Sequence, residues 1–203
     1  MLTGDFHRGF TLIELLVTMS IAAILMALGT PAMSLYLQNS KVASAAANYI
    51  AGVQLARAEA IRRNQRVEFM LTNSPVSAAG AANAAVPDVN GRSWLVRAVI
   101  NPVGPVFEMI DSKEAGEGEA GAVAPRVQVA GAGPAGFDGT IAFSALGATT
   151  AGAPITIDIS NPTAGVCAIG GGPIRCRQIN VLPGGQAAVC DPAAAAGDSR
   201  RGC

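Results

Sequence analysis

The chain has 203 residues, enough for one domain of ordinary size with an added segment but not for two domains with separate cores. Basic and acidic residues number 14 each, so the overall charge does not draw the chain to nucleic acid. The single histidine is His7, near the start of the sequence. This composition disfavours an imidazole-based active site, and with it an enzyme, a cofactor site or a metal centre.

The first predicted element is an apolar helix. Residues 10–28 are almost entirely aliphatic, and no charged residue occurs between Glu14 and Lys41. At about 1.5 Å per residue, roughly 20 apolar residues span a bilayer core, so we predict a transmembrane helix over residues 10–33. The alternative is a cleaved secretory signal, but the apolar run is longer than such a signal and continues into a second helical pattern.

A specific string of residues precedes and opens this helix. Arg8 and Gly9 are followed by Phe10-Thr11-Leu12-Ile13-Glu14. The string resembles the N terminus of the type IV pilin and pseudopilin superfamily. The resemblance implies that residues 1–9 are a leader, which prepilin peptidase removes after Gly9 before it N-methylates Phe10. It also implies an assembly role for Glu14.

The charge on Glu14 gives that role a physical basis. A carboxylate within an apolar helix is costly in a membrane and normally has a partner. Cleavage after Gly9 frees the α-amine of Phe10, and the Glu14 carboxylate of a neighbouring subunit can neutralise that amine away from water. Such a pair would fix the axial register of two subunits.

Pro31 falls within the predicted transmembrane helix. Because proline lacks a backbone N–H and clashes with the preceding turn, we expect a kink or local melting at this position. A proline at this relative position is usual in pilins. The resemblance implies that Pro31 loosens the helix during filament assembly.

An amphipathic helix is predicted to continue over residues 34–64. Glu59 and Arg63 stand four residues apart in the favourable order, which contributes about 0.2–0.5 kcal/mol to a helix. Residues 55–64, followed by Val67, resemble the helix end of GspH/FimT-type minor pilins and pseudopilins. Apolar residues recur at spacings of four and three and should pack on a sheet: Val42, Ala46, Tyr49, Val53, Ala56 and Ala60.

Residues 65–203 are predicted to form a β domain. The fold class is therefore α+β, a pilin-like lollipop with a long N-terminal helix packed on an antiparallel sheet domain. The loops over residues 74–91 and 111–125 contain no expected core material, and we expect both to be mobile. Eight strand-like runs are bounded by turn residues: Val67–Leu71, Trp94–Ile100, Val106–Ile110, Arg126–Ala130, Thr140–Phe143, Ile155–Ile159, Arg175–Leu182 and Ala187–Cys190.

All four cysteines lie near the end of the chain, at Cys167, Cys176, Cys190 and Cys203. Their spacings do not suit a zinc site, and disulfides are the natural interpretation for an exported domain. The turn at Pro183-Gly184-Gly185 should bring Cys176 opposite Cys190. We therefore favour Cys176–Cys190 and Cys167–Cys203, although four cysteines allow three pairings.

Six arginines form a candidate basic patch, and DNA is the alternative partner that it raises. Some FimT-like minor pilins are implied to bind DNA through a Gly-Arg-x-Arg turn in the C-terminal hairpin, whereas the corresponding turn here, residues 184–188, has no arginine. A solvated protein surface is the simpler interpretation of this set. The arginines are Arg57, Arg62, Arg63, Arg66, Arg175 and Arg177.

The resemblance implies a non-enzymatic subunit of a type IV pilus or a type II secretion pseudopilus. Its expected location is the bacterial inner membrane, as a single-pass protein with a periplasmic C-terminal domain, before assembly into a filament near the tip. The implied partners are prepilin peptidase, the major and other minor pilins or pseudopilins, the inner-membrane assembly platform and the lipid bilayer. The alternative is a DNA-binding minor pilin of a DNA-uptake pilus.

Overall fold

A computed structural model of the chain describes residues 10–104, 106–114, 128–195, 198 and 202–203. These residues fall into two compact units, which divide between Leu37 and Gln38. Helix α1 (Leu12–Arg63) begins in the first unit and ends in the second. The predicted leader, residues 1–9, lies outside the described residues.

The first unit is helical. Helix α1 is continuous through position 31, so the local melting expected at Pro31 does not occur in this structure. A loosening of the helix during assembly stays a prediction. Over the described residues, no helix combines the length and apolar character that a membrane crossing requires.

The second unit is built on the buried face of α1. All six members of the predicted apolar stripe are buried, and none is more than 6 % exposed. The helix ends at Arg63, and the next residue, Asn64, adopts a left-handed conformation with φ of 51°. Asparagine tolerates that conformation better than most residues, so it can stop the helix and turn the chain into the first strand.

Antiparallel strands follow, as the strand pattern predicted, and they form two four-stranded sheets. The first sheet has the order β3-β2-β1-β5 and the second has the order β4-β6-β7-β8. The predicted start of β4 at Arg126 lies outside the described residues, and the run from Arg175 to Leu182 is shorter than predicted. The strands are β1 (Val67–Thr72), β2 (Ser93–Asn101), β3 (Val106–Lys113), β4 (Gln128–Ala132), β5 (Thr140–Phe143), β6 (Ile155–Ser160), β7 (Arg177–Val181) and β8 (Ala187–Cys190).

Both sheets contribute to one hydrophobic core against the helix. Alternate residues of β1 and β6, among them Phe69 and Ile157, are fully buried there. Small helix residues permit a close approach to the first sheet. A Cβ atom built on Gly52 would lie 2.8 Å from Phe69 Cε2 and 3.1 Å from Trp94 Cε3. Any larger residue at position 52 would therefore force at least one of these two rings to shift.

The segment over residues 74–91 differs from its prediction as a loop without core material. It contains the short helix α2 (Ala81–Ala84) and buries Val76 and Ala85 in a second cluster with Met70 and Leu95. Because alternate residues of a strand point to opposite faces, β1 and β2 present apolar side chains on the sheet face away from α1 as well. The segment covers that face. Alanine carries little hydrophobic signal, which is why the pattern was missed.

The predicted disulfide pairing is wrong. The structure joins Cys167 to Cys176 and Cys190 to Cys203, with Cα–Cα distances of 5.5 and 5.2 Å. The β7–β8 hairpin forms where expected, but its register places Gln178 opposite Cys190, so Cys176 lies before the paired residues. A turn containing the 3-10 helix Ala168–Gly170 instead returns the chain to Cys167.

Candidate functional site: the exposed helix start and the arginine clusters

The start of α1 combines a helix cap with the predicted assembly residue. Thr11 precedes the first helical residue, and its hydroxyl accepts a hydrogen bond from the backbone N–H of Glu14 at 3.3 Å. Threonine followed three residues later by glutamate is the capping-box pattern, in which both residues favour a helix N terminus. Glu14 thus sits where its carboxylate stabilises the beginning of the helix.

The first unit leaves its apolar side chains exposed. Every described side chain from Phe10 to Ala27 is exposed, and Glu14 is the one charged residue among them. Phe10 is 80 % exposed and Leu12 is 83 % exposed. A continuous apolar surface of this kind is unusual for an isolated soluble protein and marks a surface that binds lipid or protein. The structure thus presents Phe10, just before α1, and Glu14, in its first turn, on one exposed apolar segment.

The arginines near the end of α1 are neutralised by acidic side chains. Glu59 binds Arg62 at 2.6 Å and Arg63 at 2.7 Å, which confirms the predicted Glu59–Arg63 pair. Arg63 also reaches Glu108 on β3 at 3.2 Å. Hydrogen bonds from Arg62 and then Arg63, with their positive charges, lower the pKa of Glu59 to about 2. Arg62 and Arg63 therefore belong to a local ion-pair network centred on Glu59.

Arg66 takes part in a second network, centred on Glu68 in the middle of the first sheet. Arg66 and Arg97 each donate to one carboxylate oxygen of Glu68 at 2.9 Å. Arg97 also donates to the carbonyl of Ala82 at 2.8 Å, and its guanidinium carbon lies 3.6 Å from the centre of the Phe107 ring. Sequence analysis missed Arg97. The signal in the sequence was a single charged residue within each of two otherwise mostly apolar strands, Glu68 in β1 and Arg97 in β2.

Arg175 and Arg177 share one buried carboxylate, that of Asp191. Arg177 lies 2.6 Å from it and Arg175 lies 3.5 Å away. Burial acts to raise the pKa of Asp191, but a hydrogen bond from the backbone N–H of Ala193 and the Arg177 guanidinium outweigh it and hold the pKa below its usual value. The ion pair of Arg177 with Asp191 therefore connects β7 to the segment after β8.

Arg57 connects the helix to two turns. Its guanidinium donates to the carbonyl of Gly147 at 3.1 Å and to the carbonyl of Gly184 at 3.4 Å. Gly184 belongs to the β7–β8 turn. All six arginines of the candidate patch therefore have a protein partner, and DNA binding through them stays a prediction.

Two comparisons of sequence agree with this geometry. The prokaryotic N-terminal methylation motif matches residues 6–30, which include Phe10 and Glu14. The family described as Type II transport protein GspH matches residues 45–185, more than half of the chain. The chain belongs to the GspH family. No curated protein matches this GspH-family chain.

The fold of this GspH-family chain is similar to a minor pilin of known structure. One crystal form of the Pseudomonas aeruginosa type IV minor pilin FimU matches with a TM-score of 0.53 and 15 % identity, over 80 % of this chain and 97 % of FimU. A second crystal form gives 0.50 and 14 %, over 76 % and 96 %. At this identity the similarity concerns the fold alone, and it is the pilin-like α+β fold.

The described part of this GspH-family chain shows no cluster of three or more metal-ligating side chains. The four cysteines are paired with one another in disulfides. The features that stand out in the described residues are the exposed apolar start of α1, its cap at Thr11 and the disulfide-bonded β unit.

Proposed function

We propose that this chain is a non-enzymatic structural subunit, a minor pilin or pseudopilin that is assembled into a type IV pilus or a type II secretion pseudopilus. The observation that carries the proposal is the exposed, mostly apolar surface over residues 10–27, which are the two residues before α1 and its first part. Such a surface requires cover by lipid before assembly and by neighbouring helices afterwards. Membership of the GspH family and the methylation motif support the same function.

Processing would occur at the start of this helix. Prepilin peptidase cleaves after Gly9 and N-methylates the new amine of Phe10, which keeps its positive charge. The Glu14 carboxylate of one subunit then pairs with the Phe10 amine of the next, away from water. Each charge is costly alone in an apolar environment, so the pair favours one axial register between subunits.

The location and the partners of the chain follow from this processing and assembly. The chain waits in the inner membrane as a single-pass protein with its second unit in the periplasm, the compartment in which its disulfides form. The assembly platform then extracts it into a filament, where α1 packs against the helices of the major and other minor subunits. We place it near the tip of that filament.

Mass spectrometry of two variants tests the processing step. Wild-type protein from cells with prepilin peptidase should begin at methylated Phe10, and Gly9→Ala should keep residues 1–9 attached. A control, Gly104→Ala, changes a glycine that has open space around it in the second unit, and it should be processed like wild type. A mature N terminus in the Gly9→Ala protein would contradict the assignment.

Assembly is tested in a deletion strain complemented with Glu14 variants. Glu14→Gln keeps the size and the apolar surroundings but removes the charge, so it should be processed yet fail to restore filaments. Sheared surface pili and exported enzymes are scored in the same cultures. Loss of pili alone in the deletion strain identifies a pilus subunit, and loss of secretion alone identifies a pseudopilus subunit.

A further inference from the structure

We infer that the second unit rests on the membrane surface through the connection between β6 and β7, beside the point where α1 enters the unit, and that this surface binds anionic phospholipid. The inference rests on the proposed function, because it takes the first unit to be inserted in the bilayer. The surface, here called the entry end, consists of residues 38–41 and residues 161–176.

Hydrogen bonds fix this connection beside the first residues of the unit. Gln38 Oε1 accepts from the side-chain amide of Asn161 at 2.9 Å. Asn39 Oδ1 accepts from the backbone N–H of Arg175 at 2.7 Å. Asn161 and Arg175 therefore hold both ends of the intervening segment next to the start of the unit.

Apolar side chains of the entry end project into solvent. Val166 is 64 % exposed and directly precedes the loop that the Cys167–Cys176 disulfide closes, and Ile169 within that loop is 66 % exposed. A Cβ atom built on Gly170 would lie 3.1 Å from a methyl group of Val166, so the loop folds back on this side chain. Short disulfide-closed turns with apolar tips suit insertion into the interfacial layer of a membrane because they lose little conformational entropy on binding.

The charge of the entry end matches an anionic surface. Its residues include Lys41 and Arg175 and no acidic residue. The Arg175 side chain is 62 % exposed, and its contact with Asp191 is 3.5 Å long, whereas Arg177 binds the same carboxylate at 2.6 Å. Cations flanking exposed aliphatic residues are the usual composition of a surface that binds phospholipid headgroups.

The chain itself keeps the entry end close to the bilayer. If the membrane segment ends near residue 33, only residues 34–37 separate it from Gln38, the first residue of the second unit. The entry end is therefore the part of the second unit that the chain tethers most directly to the membrane.

Tryptophan substitution in the full-length chain tests the inference. The protein is reconstituted in vesicles of phosphatidylethanolamine and phosphatidylglycerol with brominated acyl chains, which quench nearby tryptophan. The Ile169→Trp protein should lose emission relative to the same protein in unbrominated vesicles. Native Trp94 packs beside Gly52, about 20 Å along α1 from Asn39, and should give a constant background.

A matched control lies at the other end of the unit. Leu146 is 88 % exposed and adjoins Gly147, whose carbonyl binds Arg57, about 27 Å along α1 from Asn39. The Leu146→Trp protein should show no loss of emission. Neutralising both cations with Lys41→Gln and Arg175→Gln should reduce the quenching of the Ile169→Trp protein, as should added salt.

A third substitution separates this inference from the proposed function. Leu25 lies in the apolar first unit, so the Leu25→Trp protein should be quenched whenever the helix is inserted. Quenching at Leu25→Trp without quenching at Ile169→Trp would overturn the inference, leave insertion intact and indicate that the connection faces a neighbouring subunit. No quenching at either position would overturn membrane insertion itself. Quenching of Ile169→Trp that ignores salt and both cation substitutions would overturn the anionic-lipid assignment.

Discussion

Arg57 Nε lies 3.1 Å from the carbonyl oxygen of Gly147, and through this bond one helix residue holds the turn between β5 and β6. The same guanidinium reaches the carbonyl of Gly184 in the β7–β8 turn. Arg57 thus ties together the first sheet, the second sheet and the helix at a single position.

Replacement of Arg57 should destabilise the second unit. Arg57→Leu removes the donors for two carbonyls, and hydrogen bonds to a charged group contribute about 1.5–3 kcal/mol when well shielded. Because Arg57 is partly exposed, we expect a loss of about 1 kcal/mol, measured by urea unfolding of the full chain in detergent with Trp94 fluorescence. Arg62→Leu, at a side chain 64 % exposed, should cost less. Equal losses would contradict a connecting role for Arg57.

The contact between the two turns predicts a strong effect at Gly185. This residue has a φ of +78°, and a Cβ atom there would lie 1.8 Å from the carbonyl oxygen of Gly147. Gly152 also has a positive φ, of +69°, but has open space around it. Gly152→Ala should therefore cost about 1–2 kcal/mol from backbone strain alone, and Gly185→Ala should cost clearly more. Similar midpoints in urea for the two variants would refute the close contact.

The buried pair of Glu68 and Arg97 should be sensitive to the loss of one partner. Their side chains are 6 % and 9 % exposed, so Glu68→Gln leaves a guanidinium largely shielded from water without its counter-charge. We expect a loss of about 3 kcal/mol in the free energy of unfolding. Glu108→Gln is the matched control, since that side chain is 53 % exposed, and it should cost under about 1 kcal/mol. A negligible effect at Glu68 would show that Arg97 finds other partners.

Acid should weaken the Glu59 network in a defined range. Because the pKa of Glu59 falls from 4.5 to about 2, the folded state binds this proton less readily than the unfolded state. Its contribution is complete above about pH 5 and is lost as the pH falls from 4.5 towards 2. The stability difference between wild type and Glu59→Gln should shrink over that range in parallel unfolding titrations. A constant difference would contradict the lowered pKa.

Peptide mapping without reduction checks the disulfides. Digestion should release Cys176 linked to Cys167, and Cys190 linked to Cys203, from oxidised protein. Removal of either bond by serine substitution of both partners should cost about 2–4 kcal/mol, because each closes a short loop in the unfolded chain. A peptide in which Cys176 is linked to Cys190 would contradict this pairing and support the one favoured from the sequence.

Local patterns explain what the sequence could predict. Spacings of three and four identified the buried stripe of α1, and turn residues bounded eight strands to within a few positions. The string from Arg8 to Glu14 and the helix end near Val67 indicated the family. Each of these signals depends on residues that are close together in the chain, so it can be recognised without knowledge of the tertiary structure.

The missed features depend on register and on long-range contacts. A shift of two residues in the β7–β8 hairpin separates Cys176 from Cys190, and the turn alone does not specify that shift. Val76 and the ion pair of Glu68 with Arg97 are buried because the segment between β1 and β2 folds back over the first sheet, which local sequence patterns do not specify. Arg175 and Arg177 looked like part of a basic patch because their acidic partner, Asp191, lies 16 and 14 residues away in the sequence.

The crossing of α1 over the rings of Phe69 and Trp94 at Gly52 constrains how this fold can diverge. Any side chain at position 52 would collide with one of the two rings, whose centres are 5.7 Å apart. Relatives that carry alanine or a larger residue there should have lost bulk at one of the two strand positions. We therefore expect positions 52, 69 and 94 to covary among homologues, because their side chains together set the distance between helix and sheet.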